Sequence, residues 1–502
     1  MTVREASPAP VPPRLLTLSA PTVELLERAT DDLADRLDAR GEAGFAALPA
    51  VPDLPAAPPE PGAVRRAVLA GSARDAARWL RKRDVRRVFT GGPGGPGGPG
   101  GPGASGAPGD AASRVFLCSG VGDQYPGLGA GLYRCLPVFR AELDHCFRIL
   151  AEQHGLDLRA VLFPATSATT AGGPEGSGPA DGFDRHTAPR EIHRTVVAQP
   201  LLFSLQYALA RALTALGAGP AALAGYSVGE YTAACLAGVF PVEHALRLVT
   251  GRARLVDELP PGAMLAVAAG PEVFGAAGGH GPQAGPLSGP LAGPLGGELS
   301  LAALNGPQQT VLSGPVEAVE EAARRLTGAG LPCQRLATAH AYHSTMTEPL
   351  TGPLEELLRT VPLAPPRVPM LSNVTGTWLR DAEVTSPAFW ARQLSRTLRF
   401  SDELAEIWRL PGPVLVELGP GQALTRLALG HPDRPANALA SVVQTLPGRL
   451  ETRTEWELLL AATGRLWAAG AAVDWTALVP VGDAAGDAVG DAEPSAPTGE
   501  GR

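Results

Sequence analysis

Residues 221–230 read Ala-Ala-Leu-Ala-Gly-Tyr-Ser-Val-Gly-Glu, and this stretch constrains the fold more than any other. A short apolar run, Ala221 to Ala224, enters a Gly-x-Ser-x-Gly turn, and a helix-like segment, Val228 to Gly238, leaves it. A strand joined to a helix through such a turn is a nucleophile elbow: the glycines permit close approach, and the serine Oγ is held out at the helix N-terminus. Main-chain N–H groups there can stabilise an oxyanion. An ordinary βα turn is the competing reading, since a chain with 61 glycines produces such patterns by chance.

Gly and Pro also divide the chain. Gly-Gly-Pro repeats fill residues 91–109, a run too short for a triple helix and read as a solvated spacer. Similar stretches at about 164–189 and 275–297 read as insertions in surface loops, where length costs little stability. The acidic Gly/Ala-rich tail, 482–502, reads as disordered. Between these joints, strands and helices alternate. Leu15 to Leu18, Ala67 to Ala70 and Arg87 to Phe89 read as strands, with helices at Thr22 to Arg40 and Ala73 to Lys82. Arg114 to Cys118 is a strand running into the turn Gly120-Val121-Gly122. Pro200 is placed at the first position of a helix ending at Leu216, with Gly217 as its cap. Further strands are expected at Met264 to Ala268, Ser300 to Leu304, Thr310 to Leu312, Arg335 to Thr338 and Val414 to Glu417, which together indicate an α/β parallel-sheet core.

At 502 residues the chain can bury a sizeable core, and its formal charge of −8 argues against nucleic acid as the main partner. Its five cysteines are odd in number and lack CxxC spacing, so reduced thiols are expected, without a zinc site or disulfide framework. No signal-like or membrane-spanning run stands out, and a soluble cytoplasmic protein is expected. A serine nucleophile needs a base. Of the nine histidines, His340 and His343 stand apart: they lie in Ala339-His-Ala-Tyr-His-Ser344, just beyond a strand end, where α/β sites gather.

Gly225-Tyr-Ser-Val-Gly-Glu230, His340-Ala-Tyr-His-Ser344 and Glu417-Leu-Gly-Pro-Gly421 occur in the order found in one family. Over about Arg114 to Leu446 the chain resembles malonyl-CoA:acyl carrier protein transacylases and the acyltransferase domains of modular polyketide synthases. The resemblance implies a parallel-sheet, hydrolase-like α/β core with an inserted ferredoxin-like α+β subdomain, preceded by a small α+β linker domain. It divides the chain into a ketosynthase–acyltransferase-type linker domain (1–90) and a Gly/Pro linker (91–113). An acyltransferase domain (114–450, small subdomain about 260–337), a post-acyltransferase linker (451–481) and the tail (482–502) follow.

By position, Ser227 would be the acylated nucleophile and His343 its base, oriented by a main-chain carbonyl of Leu398-Arg399-Phe400 instead of a third carboxylate. The N–H groups of Val121 and Val228 would form the oxyanion hole. Arg252 would grip the free carboxylate of a malonyl group with its planar fork. Tyr226, Tyr342, Asn305 and Gln124 would complete the substrate site, although Asn305-Gly306 reads equally well as a turn. Three positions depart from the family pattern: Val121 stands where Gln is usual, Tyr226 where His is usual, and Tyr342 in a His-Ala-Tyr-His specificity motif. Tyr342 is bulky enough to fill the space of an α-methyl branch, which favours malonyl. The Tyr342 and Tyr226 hydroxyls leave room for an unusual, polar extender unit.

The implied activity moves a malonyl-type group from CoA to the phosphopantetheine thiol of an acyl carrier protein through an acyl-serine, in polyketide biosynthesis. The implied partners are a carrier protein and a ketosynthase or other synthase module; no metal or bound cofactor, membrane or nucleic acid is expected. Arg392, Arg396 and Arg399 offer a basic contact for an acidic carrier protein or a solvated helix face. The competing functions are a thioesterase-like hydrolase and a shuttle between carrier proteins. Met1 and the acidic tail favour a discrete protein acting in trans over a piece of a larger synthase.

Overall fold

A computed structural model describes residues 13–52, 62–92, 113–164, 190–274 and 298–478. Residues 93–112, 165–189, 275–297 and 479–502, which hold nearly all of the low-complexity stretches and the tail, lie outside the described residues.

The main sheet has the strand order β11-β10-β4-β5, all parallel: β4 (Arg114–Cys118), β5 (Ala222–Gly225), β10 (Val414–Pro420) and β11 (Val442–Leu446). Central β4 is apolar on both faces because both are covered. Val115 and Leu117 pack against the layer of Phe400, Leu404, Ile407 and Leu424. Phe116 and Cys118 join the larger core that contains Leu205, Leu209 and the rest of helix Thr195–Ala215. That helix is long and apolar enough to cross a membrane, but 83% of its most apolar stretch is buried inside the protein. Pro200 sits within it and not at its first position. The helix opens at Thr195, whose hydroxyl contacts Tyr342, so buried contacts carry the helix back past the proline.

The second sheet, β7-β8-β6-β9, is antiparallel: β6 (Gly262–Val267), β7 (Ser300–Gly306), β8 (Gln309–Pro315) and β9 (Cys333–Arg335). Taken in chain order, its strands lie 2-3-1-4, with helix Val316–Gly328 packed on one face through Val319, Ala322 and Leu326. This is the ferredoxin-like arrangement, a split βαβ unit. The sequence reading placed a strand at Arg335 to Thr338; β9 ends at Arg335 instead, because the chain tightens there, with Thr338 N bonding back to Leu336 O, although Leu336 N and Ala339 O still bond β6 at Met264 and Gly262. A parallel bridge between Ala303 and Leu398 ties this sheet to the main body.

The N-terminal unit is a third, antiparallel sheet, β1 (Arg14–Ala20), β2 (Val64–Ala70) and β3 (Val88–Gly91). Helices Val23–Ala46 and Ala73–Lys82 cover one face with Ala34, Leu37, Ala76 and Leu80. Thr22 and Ser72 cap them, and Gly41 (φ +61°) lets the first turn a corner before Ala46. Leu15, Ala67 and Phe89 on the other face merge into the main core through helix Glu455–Ala468. That helix starts with a Thr454–Glu457 capping box. Its Glu455 carboxylate accepts from Gly129 N (2.6 Å) and Leu132 N (3.0 Å), while Arg65 stacks on Trp467 at 4.7 Å. The segment after residue 450 is thus a splint between the N-terminal sheet and the main body.

Candidate active site

The elbow is held by backbone contacts that exclude side chains. A Cβ on Gly225 would lie 2.2 Å from Glu230 N, and one on Gly229 would lie 2.1 Å from Cys118 O. Between them Ser227 adopts φ +56°, a left-handed conformation that costs a non-glycine residue about 1–3 kcal/mol. Two hydrogen bonds hold it there: Ser227 N donates to Asn373 Oδ1 (2.7 Å), and Gln393 Nε2 donates to Ser227 O (2.9 Å).

Ser227 Oγ lies 2.8 Å from His343 Nε2. His343 is itself left-handed (φ +57°), fixed by its N–H bond to Leu394 O. Its Nδ1 faces two carbonyls, Gln393 O (3.2 Å) and Arg396 O (3.1 Å). Carbonyls only accept, so the ring proton resides on Nδ1 and the Nε2 lone pair points at the serine. Burial, reinforced by the positive charge of Arg252, pushes the His343 pKa down to about 3, so the ring is neutral at pH 7. The carbonyls therefore come from Gln393 and Arg396 and not from Leu398 to Phe400. Leu398 O is occupied by Leu304 N in the bridge to β7, which carries that segment away from the ring.

Beneath the elbow lies a buried acid network to which the sequence reading assigned no role. Glu230 accepts from Asn373 N (3.1 Å) and Gln393 Nε2 (3.0 Å), while Asn373 Nδ2 donates to Gly225 O (2.5 Å) and Glu403 Oε1 (2.6 Å). Burial raises the Glu230 pKa to about 7; burial and then the Glu230 charge raise that of Glu403 well above the usual carboxylate range.

The turn Gly120–Gly122 packs on the elbow: a Cβ on Gly120 would lie 3.2 Å from the Tyr226 ring and 3.8 Å from Ser227 Cβ. The N–H groups of Val121 and Val228 find no acceptor among the described residues. Gln124, expected to contact substrate, is 2% exposed and spent within the protein. Its Oε1 accepts from Gly122 N (2.8 Å), and its Nε2 faces Ile192 O and His193 Nδ1 (3.2 Å each). It shapes the glycine turn.

Arg252, on helix Val242–Asp257, is 1% exposed and pairs with no carboxylate among the described residues. Nη1 donates to Gln199 Oε1, and the Tyr231 and Tyr342 rings lie 5.8 and 6.0 Å from Cζ. Nε and Nη2 make no hydrogen bond of good geometry among the described residues, with the Tyr231 side chain beside the guanidinium. Burial lowers its pKa, opposed by the Tyr231 and Tyr342 side chains. Tyr342, also buried, turns its hydroxyl to Thr195 Oγ1 (3.2 Å), so that hydroxyl is engaged and does not wait for a polar substituent. Tyr226 donates to Asn305 Oδ1 (3.0 Å) and meets Phe400 edge-on, linking the elbow to β7; burial pushes its hydroxyl up to about 12. Asn305 is thus part of this wall and not a bare turn. His340 packs edge-on against Tyr342, with Nε2 4.0 Å from Asp257.

Glu417, in the third motif, accepts from Leu424 N and Thr425 N (2.9 Å each) and caps helix Ala423–Gly430. Of the three arginines read as a basic contact, Arg399 pairs with Asp402 at 2.7 Å and Arg392 is exposed. Among the described residues no group of three or more His, Cys, Asp or Glu could hold a metal ion.

A half-buried serine on the elbow, a buried histidine against it, the N–H groups of Val121 and Val228 and an arginine with no carboxylate partner among the described residues make up the candidate site. A family model described as acyl transferase domain matches residues 115–428, and the chain belongs to that family. It is similar to a phenolphthiocerol/phthiocerol polyketide synthase protein of Mycobacterium tuberculosis, at 37% identity over 72% of this chain and 22% of that protein. The chain thus spans less than a quarter of that relative. Its structure resembles the acyl transferase domain of SpnD in complex with 2-(pent-4-yn-1-yl)malonyl (32% identity, TM-score 0.66, covering 93% of this chain and 98% of that one). It also resembles a malonyl-transacylase solved with its type II polyketide synthase acyl carrier protein (25% identity, TM-score 0.55, covering 70% and 99%).

Proposed function

We propose that this chain transfers a malonyl-type acyl group from coenzyme A to the phosphopantetheine thiol of an acyl carrier protein, in polyketide assembly, through an acyl-Ser227 intermediate. The observation that carries this reading is Arg252: a buried guanidinium that has no carboxylate counter-ion and two nitrogens without a hydrogen bond among the described residues suits the free carboxylate of a malonyl thioester. Tyr342, packed over that arginine with its hydroxyl engaged, leaves little room beside the α-carbon and favours an unsubstituted malonyl group.

In the first half-reaction, His343 Nε2 takes the Ser227 Oγ proton as Oγ attacks the thioester carbonyl. The N–H groups of Val121 and Val228 receive the oxyanion. Collapse breaks the C–S bond as Nε2 gives its proton to the departing coenzyme sulfur, so the free thiol leaves and the ring is neutral again. In the second, the carrier thiol gives its proton to Nε2 and its sulfur attacks the acyl-serine. Collapse then returns the proton to Oγ. The carbonyls of Gln393 and Arg396 stabilise the transient imidazolium in place of a carboxylate. Residues 1–90 and 451–481, whose described parts brace this body, are read as the linkers that flank an acyltransferase within a polyketide synthase. The coverage of nearly all of this chain by a solved acyl transferase domain supports that reading.

The test is incubation with malonyl-CoA and a phosphopantetheinylated carrier protein, followed by intact-mass analysis of the carrier. One added malonyl group is expected. Free malonate with an unmodified carrier would instead establish a hydrolase.

A further inference from the structure

Both reacting residues are held in left-handed backbone, Ser227 at φ +56° and His343 at φ +57°, and such conformations persist only where the surroundings over-determine them. The restraints converge on one side chain that the transfer chemistry leaves unused. Glu230, three residues after the nucleophile on helix Gly229–Ala237, is fully buried. An acid in a first turn commonly serves the free N–H groups of its own helix. This one instead reaches segments 143 and 163 residues along the chain.

Each Glu230 oxygen holds one end of the serine residue. Oε1 accepts from Asn373 N (3.1 Å), and the Asn373 side chain takes the hydrogen bond of Ser227 N (2.7 Å). Oε2 accepts from Gln393 Nε2 (3.0 Å), and the same amide nitrogen donates to Ser227 O (2.9 Å). The Gln393 main-chain carbonyl faces His343 Nδ1 (3.2 Å), and the next residue, Leu394, accepts from His343 N (3.0 Å). The Gln393 side chain thus restrains the serine while its main chain restrains the histidine. The groups that offset the burial of Glu230 are all neutral: Gln393, the Ser372 side chain and the Asn373 N–H. A carboxylate is a costly group to bury without a cation. What it offers beyond an amide of the same shape is a second acceptor oxygen.

We propose that Glu230 is a positioning residue: through Asn373 and Gln393 it holds the Ser227 main chain at both ends and ties it to the segment that orients His343. The inference rests on the proposed function in taking Ser227 as the reacting group. Glu230→Gln keeps the shape but supplies one acceptor oxygen where two donors converge. Either Asn373 N then loses its acceptor, or Gln393 turns toward position 230 its own side-chain oxygen, which has no hydrogen bond among the described residues. In the second case Gln393 Nε2 leaves Ser227 O, which keeps only the helix bond from the N–H of residue 230.

Two measurements on the whole chain test this. One is the rate of malonyl-Ser227 formation, read by intact mass across malonyl-CoA concentrations. The other is the rate at which a small fluorophosphonate labels Ser227, which reports the reactivity of the serine without recognition of malonyl or coenzyme A. Glu230→Gln should lower the maximal acylation rate about five- to tenfold, the worth of one hydrogen bond, with KM unchanged, and should slow labelling by the same factor. Adding Gln393→Glu to that variant restores a donor and an acceptor between positions 230 and 393, yet offers Ser227 O no donor. Both rates should therefore stay at or below those of Glu230→Gln; their recovery would show that the 230–393 bond is structural only and would overturn the proposal. Wild-type rates in Glu230→Gln, or a change in KM alone, would overturn it as well. Should Glu230→Gln not fold, Gln393→Met reads the link from its other end: the same loss of maximal rate is expected, and an unchanged rate overturns the proposal. A wild type that takes the fluorophosphonate but never malonyl, and whose labelling slows in Glu230→Gln, would overturn the proposed function and leave the positioning role standing.

Discussion

Arg252→Met separates a clamp from a structural arginine. In the structure the guanidinium is fully enclosed, donates to Gln199, and leaves Nε and Nη2 without a hydrogen bond among the described residues. If those two nitrogens receive the substrate carboxylate, their loss removes two charge-assisted hydrogen bonds at about 1.5–3 kcal/mol each. The ratio of kcat/KM for malonyl-CoA over acetyl-CoA should then fall roughly 10²- to 10⁴-fold, most of it on the malonyl side. Stability should move the other way from intuition. Breaking a buried ion pair typically costs about 3–5 kcal/mol, but Arg252 has no such pair to break, and methionine fills most of its volume. The ligand-free variant should therefore unfold within about 1 kcal/mol of the wild type, or later. The assays are acyl-enzyme formation with both thioesters and urea unfolding without ligand. A variant destabilised by several kcal/mol that still prefers malonyl would refute the clamp.

Other expectations follow from single contacts. Gly229→Ala places a methyl carbon 2.1 Å from the Cys118 carbonyl, a main-chain atom that cannot yield, so soluble folded protein should be lost. Gly352→Ala, in helix Thr351–Leu358 where a Cβ meets nothing within 4 Å, should remain soluble. Because His343 is held neutral down to about pH 3, kcat/KM should show no loss near pH 6.5 from this group, whereas an unperturbed histidine would halve it there. The same depressed pKa makes protonation oppose folding: its contribution to stability is present above about 6.5 and is lost as pH falls toward 3, readable in denaturant midpoints. Tyr342→Phe removes only the hydroxyl contact with Thr195, so malonyl preference should persist with about 1 kcal/mol lost in stability. Tyr342→Ala should raise the methylmalonyl share of the acyl-enzyme.

What could be read from the sequence was what is local. The strand at Arg114 to Cys118 is legible because its run of apolar residues can only be buried on both faces, and the elbow because its glycines have no alternative. Ser227 and His343 lie 116 residues apart, yet each sits in a short recognisable motif, and the structure brings them to 2.8 Å. The groups that hold them were not legible. The histidine is oriented by main-chain carbonyls of Gln393 and Arg396, and a carbonyl leaves no mark on residue identity. Asn373 reaches Ser227 N across 146 residues with an amide that, in sequence, is one turn-forming asparagine among others. Gln124 was misassigned for the same reason: its position beside the glycine turn was evident, but the direction of its amide was not. The helix around Pro200 shows tertiary burial overriding a local rule, since sixteen of its 21 residues are buried.

The central claim is that Ser227 carries the acyl group between two thiols. The most direct measurement is peptide-level mass spectrometry of the chain after brief exposure to malonyl-CoA, with and without subsequent holo-carrier protein. One malonyl adduct on the peptide containing Ser227 is expected, absent from Ser227→Ala and discharged onto the carrier thiol. An adduct that persists in Ser227→Ala, or one that the carrier cannot remove, would contradict the account.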